Sequence, residues 1–187
     1  QNLFEIYKDT LEEEIIFVGN EIHFNHYKNI IAIGVHIKEF DWIENFIQRY
    51  TFKLPKGYQE TALTYNLSAV YFHKKDYQKV IEQLREVEYK NLIYALGGKL
   101  MLLKTYYELN EYAALDSLID SFRIYLRRNR TISKDVRQQY MNVLKFVKKL
   151  SGLAPYDRAG LEKVTKEIHE CKALAAKNWI LEKVGEF

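Results

Sequence analysis

Few residues in this chain are spaced for chemistry, and those that are point to binding. His23 and His26 lie three apart, a spacing that can set two imidazoles on one helical face as metal ligands. Zinc needs more ligands than two, and no Cys or His cluster completes the set, so no metal and no cofactor are expected. Cys171 is the only cysteine, and Lys172 beside it does not make it a nucleophile. It can form no internal disulfide, which fits a reducing, cytoplasmic compartment. Phosphate loop, dinucleotide fingerprint, nucleophile elbow and paired-carboxylate motif are all missing, so the chain is expected not to be an enzyme. Glu12-Glu13-Glu14 reads as the wet face of the first helix.

The strongest polar feature is a basic stretch. Residues 123–149 hold nine cations (Arg123, Arg127, Arg128, Arg130, Lys134, Arg137, Lys145, Lys148, Lys149) against Asp135 alone. Residues 1–27 hold six carboxylates against Lys8 alone, while the whole chain carries only +3. Arg123, Arg127 and Arg130 follow steps of 4 and 3, and Arg137, Lys145, Lys148 and Lys149 share a side of the next helix. Two facing helices would merge these into a patch for a polyanion, RNA or an acidic protein. Cations near a helix C-terminus also complement its dipole, so solvated surface competes with that reading and nucleic acid is not the leading partner.

The elements that must carry these residues are helices. Only 2 Pro and 8 Gly argue against an all-β fold, and 15 Tyr with 10 Phe suit helix–helix seams. Phe4, Tyr7, Leu11, Ile15 and Val18 lie at helix spacing, with Gly19 as a stop and Asn20 as the next cap. This helix opens the chain with an apolar face and no earlier partner, as expected of the second half of a pair in a longer protein. Further helices are expected at about 21–37, 40–51, 58–74, 77–88, 91–109, 112–128 and 133–150. Pro55 and Gly57 break the chain between two of them, and the helix over 133–150 carries a stripe of Val136, Tyr140, Val143, Val147 and Leu150. Ser151 to Tyr156 forms the longest loop, and 157–184 is helical with a break near Cys171. No segment alternates long enough to compete as a strand, and no apolar run spans a membrane.

A skeleton repeats within this pattern. Lys38-Glu39-Phe40, Lys75-Asp76-Tyr77 and Asn110-Glu111-Tyr112 each separate two helix-period segments, with the aromatic at 40, 77 and 112, steps of 37 and 35 residues. A step of that size is one helix–turn–helix unit. Tyr65-Asn66-Leu67-Ser68-Ala69-Val70-Tyr71, then Tyr77, Val80, Ile81, Leu84 and Val87, resembles a tetratricopeptide repeat. Leu102, Tyr106, Tyr112, Leu115 and Ile119 follow the same spacing. The stretch from Ile30 keeps the closing Pro55 but has Gly34 where the family has Tyr. The whole chain is similar to uncharacterised bacterial proteins with such divergent repeats.

The resemblance implies an all-α, right-handed stack of antiparallel helix pairs, a tetratricopeptide-like α-solenoid forming one domain over 1–187. Its parts are 1–19, repeat units at 21–55, 58–90 and 91–128, and C-terminal helices with a cap over 131–187, where Trp179 and Ile180 close the last pair. It also implies a protein-interaction scaffold that takes a protein or peptide partner on the first helix of each unit. Those positions are Asn25, Lys28, Asn29, Ala32 and His36, then Tyr65, Asn66, Ala69, Phe72 and His73, then Leu100, Met101, Lys104 and Glu108. Family members that clamp a C-terminal carboxylate use Lys, Asn and Arg side chains. Lys28 and Asn66 match that set, whereas Ala32, Gly97 and Met101 cannot donate, so this activity is not expected. A spacer or self-association module is the remaining alternative. Gly97-Gly98 inside a helix costs about 1 kcal/mol per Gly relative to Ala, for which close packing or a kink is the expected compensation.

Overall fold

Three turns share one backbone. Lys38, Lys75 and Asn110 take the left-handed conformation, with φ of 65°, 60° and 57°. Glu39, Asp76 and Glu111, one residue on, each donate a backbone N–H to the carbonyl five residues back, on Gly34, Tyr71 and Tyr106, at 2.9 Å. Lys38, Lys75 and Asn110 donate to Val35, Phe72 and Tyr107 at 3.1–3.2 Å. Such paired bonds satisfy the carbonyls that a helix C-terminus leaves open. The aromatic that follows is in each case the first residue of the next helix. The recurring tripeptide is therefore a recurring turn.

The computed structural model describes residues 2–85, 91–154 and 156–187. Among these the elements in order are α1 (Leu3–Glu12), β1 (Phe17–Val18), β2 (Glu21–Ile22), α2 (Phe24–His36), α3 (Phe40–Tyr50), a 3-10 turn (Thr51–Lys53), α4 (Gln59–His73), α5 (Tyr77–Leu84), α6 (Leu92–Glu108), α7 (Tyr112–Arg128), α8 (Lys134–Ser151), α9 (Arg158–Glu170) and α10 (Lys177–Gly185). Among the described residues the fold is all-α apart from one pair of two-residue strands. Residues 86–88 of the expected fifth helix, Val87 included, and Pro155 of the expected loop lie outside the described residues. No helix among the described residues is long and apolar enough to cross a membrane.

The first segment departs from its expected helix. α1 ends at Glu12 instead of running to Val18. Glu14 turns left-handed, with φ of 57°, and Phe17–Val18 pairs antiparallel with Ile22 and Glu21. Gly19, with φ of 63°, takes the first position of the two-residue turn between them, where a tight hairpin favours glycine. Phe4 and Leu11 are buried as their spacing requires, but Ile15 and Val18 are 66% and 81% exposed.

The chain divides into two compact units, Gln1–Thr105 and Tyr106–Phe187. In the first, Ile30, Ile31, Ile43, Phe46 and Ile47 form the centre of the core. Trp42, Phe46 and Tyr50 stack along α3 with centroids 5.5 and 5.2 Å apart. Tyr27 Oη lies 2.6 Å from Thr51 Oγ1, joining α2 to the 3-10 turn inside the core. Gly34 has a steric reason to be glycine. A Cβ there would overlap the Ile43 side chain and reach Phe4 Cε2 at 3.0 Å, so its absence lets α2 pack close to α3 and α1.

In the second unit, Leu115, Ile119 and Phe122 of α7 and Val143, Phe146 and Val147 of α8 are buried. Ser133 caps α8 by accepting from the Val136 N–H, and Asp157 caps α9 by accepting from that of Gly160. The break near Cys171 lies where expected, between α9 and α10. Asn142 of α8 holds it by donating to the Ala173 carbonyl at 2.7 Å and to Cys171 Sγ at 3.3 Å. Trp179 and Ile180 of α10 are buried.

Candidate binding cleft

A cleft of about 580 Å³ opens in the first unit between α2, α4 and the start of α6. Seven of its thirteen lining residues come from α2: Phe24, Tyr27, Lys28, Ile31, Ala32, Val35 and His36. They include the first and last residues of the helix, so the cleft runs its whole length, about 20 Å at 1.5 Å per residue. α4 contributes Tyr65, Asn66, Ala69 and His73, at the three- and four-residue steps of one helical face. Ile93 and Tyr94 complete the lining.

Of the expected groove residues, the cleft brings together Lys28, Ala32, His36, Tyr65, Asn66, Ala69 and His73. The others are not among its lining. Asn25 and Asn29 are exposed elsewhere, and Met101 is buried in the core. Phe72 packs its ring on His73 and Tyr77, with the Lys104 ammonium 5.9 Å from it. Leu100 is half-buried. Glu108 is engaged within the second unit, where it accepts from Trp179 Nε1 at 2.8 Å and pairs with the buried Lys183.

Asn66 also differs from its expected role. It was expected to face a partner, yet Nδ2 donates to the Ala62 carbonyl at 2.7 Å and the side chain hydrogen-bonds Tyr94. It buttresses the wall instead of presenting a free amide. Of the two positions that match the carboxylate clamp, only Lys28 keeps an uncommitted side chain.

Phe24, Ile93 and Tyr94 are lining residues that sequence reasoning missed. Tyr94 sits edge-on to Tyr65 and Phe24, with centroids at 5.2 and 6.3 Å. Gly97 explains how Tyr65 fits. A Cβ at that position would come within 2.8 Å of Tyr65 Cε2 and Oη, so close packing answers the cost of this glycine. The available signal was the Tyr94–Gly97 pair, one turn apart on α6, an aromatic beside a missing side chain.

Lys28 is the one Lys or Arg among the thirteen lining residues. His36 and His73 line the cleft with it, and none of the thirteen residues is Asp or Glu. Burial, and then the charge of Lys104, hold the His73 imidazole below its ordinary pKa. Burial pushes the Tyr65 phenol up and, with Tyr65 adding to it, pushes Tyr94 up to about 12. Both hydroxyls therefore stay protonated at neutral pH.

The basic stretch is largely committed within its own unit. Arg137 caps the end of α7, donating Nε to the Leu126 carbonyl at 2.8 Å and Nη2 to those of Asn129 and Ile132 at 3.0 and 3.1 Å. Lys145 and Lys149 share Glu167 of α9 at 2.9 and 2.6 Å. Their charges hold that carboxyl at about 2. Lys148 pairs with Asp116 at 2.7 Å, and Arg123 with Asp120 at 2.9 Å. Arg127 and Arg130 are exposed, with no ion-pair partner among the described residues. The expected merged stripe is thus reduced to the turn after α7.

His23 and His26 contact each other edge-on at 5.9 Å. His23 Nδ1 accepts from the Asn25 N–H and so caps α2. Among the described residues, no three of His, Cys, Asp and Glu come together as a metal ion would require. Comparison with protein-family models, curated proteins and solved structures finds no match.

Proposed function

We propose that this chain is a non-catalytic protein-interaction scaffold, built as a tetratricopeptide-like α-solenoid, whose α2–α4 cleft holds a segment of a partner protein. The observation that carries the reading is the cleft's make-up. Nine of its thirteen lining residues are apolar or aromatic, with Lys28, His36, Asn66 and His73 as the polar remainder. An apolar wall supplies affinity through area removed from water, and a few polar groups supply orientation. The volume falls within the range of about 300–1,000 Å³ usual for ligand sites. The three equivalent turns support the repeat architecture, since they recur at the steps that separate helix pairs.

The reading is tested by plugging the cleft. Ala32 is exposed midway along α2, so Ala32→Trp fills the space and removes no core contact. A random peptide display library panned on the wild-type protein should yield sequences sharing apolar anchors, and the Ala32→Trp variant, with unchanged helicity, should lose them. Sequences that are retained by Ala32→Trp but lost on Arg127→Glu, or at high salt, would move the function to the turn after α7.

A further inference from the structure

The cleft's polar atoms sort into two sets. Those of Tyr27, Asn66 and Tyr94 are satisfied inside the protein: Tyr27 by Thr51, Asn66 by the Ala62 carbonyl, and Tyr94 by Asn66. Lys28, His36, Tyr65 and His73 have no hydrogen-bond or ion-pair partner among the described residues. Every member of this second set can donate, and no acidic residue lines the cleft to receive from it. Tyr65 is the most demanding member. Its half-buried ring packs against Gly97 and Tyr94 at the cleft wall, and its hydroxyl has no acceptor among the described residues. A donor that a ligand covers and leaves unpaired is destabilising, and an acceptor on the ligand avoids that cost.

We infer that the segment held in this cleft is acidic as well as apolar, setting Asp or Glu beside an apolar anchor so that the side-chain carboxylate accepts from Tyr65 Oη under the positive field of Lys28. This rests on the peptide reading of the cleft and narrows it to one partner chemistry. Charge complementarity carries the choice. A basic segment would face Lys28, with no acidic residue in the lining to offset it. A neutral apolar segment would leave the Tyr65 hydroxyl unpaired. The carboxylate comes from a side chain and not from a chain terminus. The cleft is lined from the first to the last residue of α2, which suits a chain passing through, and the Asn66 amide that would orient a terminus is turned to Ala62.

The test uses two pools of acetylated, amidated twelve-residue peptides, identical in apolar residues, with Asp and Glu in one pool and Lys and Arg in the other. Binding to the wild-type protein, Ala32→Trp and Tyr65→Phe is read by fluorescence polarisation at 0.15 M salt. The acidic pool should bind at least about tenfold tighter. Its best members should lose about tenfold on Tyr65→Phe, the scale of one hydrogen bond to a charged acceptor. Tyr65→Phe keeps the ring, its packing and the net charge, so attraction to the protein's general field would not change with it. Equal binding of the two pools, blocked by Ala32→Trp, would overturn the acidic inference and leave the peptide reading standing. Acidic preference unchanged in Tyr65→Phe would overturn the role given to Tyr65. Failure of both pools, or binding indifferent to Ala32→Trp, would overturn the peptide reading itself.

Discussion

Gly34→Ala should destabilise the protein even though it replaces a helix-interior glycine. In an open helix the same change stabilises by about 1 kcal/mol, because alanine loses less conformational freedom on folding. At Gly34 the added methyl has nowhere to go. It would overlap Ile43 and press on Phe4, and these side chains are 0% and 1% exposed. Forcing a methyl into a packed core costs about 1–3 kcal/mol, and two fully buried neighbours from two other helices favour the upper end. The expected net loss is about 2 kcal/mol, against a shift in Tm of about 4–8 °C per kcal/mol for a unit of this size. Urea unfolding followed by circular dichroism reads it directly. Gly97→Ala is the control, because its methyl meets only the tip of the half-buried Tyr65 ring, which can move toward the open cleft. Its stability should change by less than about 1 kcal/mol. A double-mutant cycle gives the sharper test. Ile43→Ala removes the obstructing atoms, so its own cost should be smaller by about 1–2 kcal/mol in the Gly34→Ala background than in wild type. Should Gly34→Ala be as stable as wild type, or should the cycle show no coupling, close approach is not the reason for the glycine.

Two further outcomes follow from the turns and from the committed arginine. Lys38→Gly and Lys75→Gly should each stabilise by about 0.5–1 kcal/mol in chemical denaturation, because lysine is disfavoured at φ of 65° and 60°, whereas Asn110→Gly should gain less, since asparagine tolerates that conformation. Arg137→Met keeps the aliphatic stem but removes three bonds, one to a carbonyl in the last turn of α7 and two to carbonyls after it, so it should cost about 2 kcal/mol and raise amide exchange in that turn and the following loop. Unchanged stability together with lost affinity for a polyanion would return Arg137 to a binding surface.

What was legible in the sequence is what depends on neighbours along the chain. The three turns are the clearest case, since a residue at 38, 75 or 110, the capping N–H after it and the aromatic next in line are all contiguous. The helix expected over 112–128 has those bounds for the same reason. The α2 and α4 walls of the cleft follow from helical periodicity. Illegible features depend on distance in sequence. The basic stretch looked free because its partners lie far off: Glu167 is 18 and 22 residues beyond Lys149 and Lys145, and Asp116 is 32 before Lys148. Glu108 looked like a groove residue because Trp179 and Lys183 are more than 70 positions away. The hairpin at 17–22 was hidden because Ile15 and Val18 fall at helix spacing, although α1 ends at Glu12 before it reaches them. Functional weight therefore shifts from charge counted along the chain to groups that stay uncommitted after folding. By that measure nine cations in one stretch say less than a single unpaired hydroxyl on Tyr65. Most of the side chains in that stretch have been answered within the protein, and the Tyr65 hydroxyl has not.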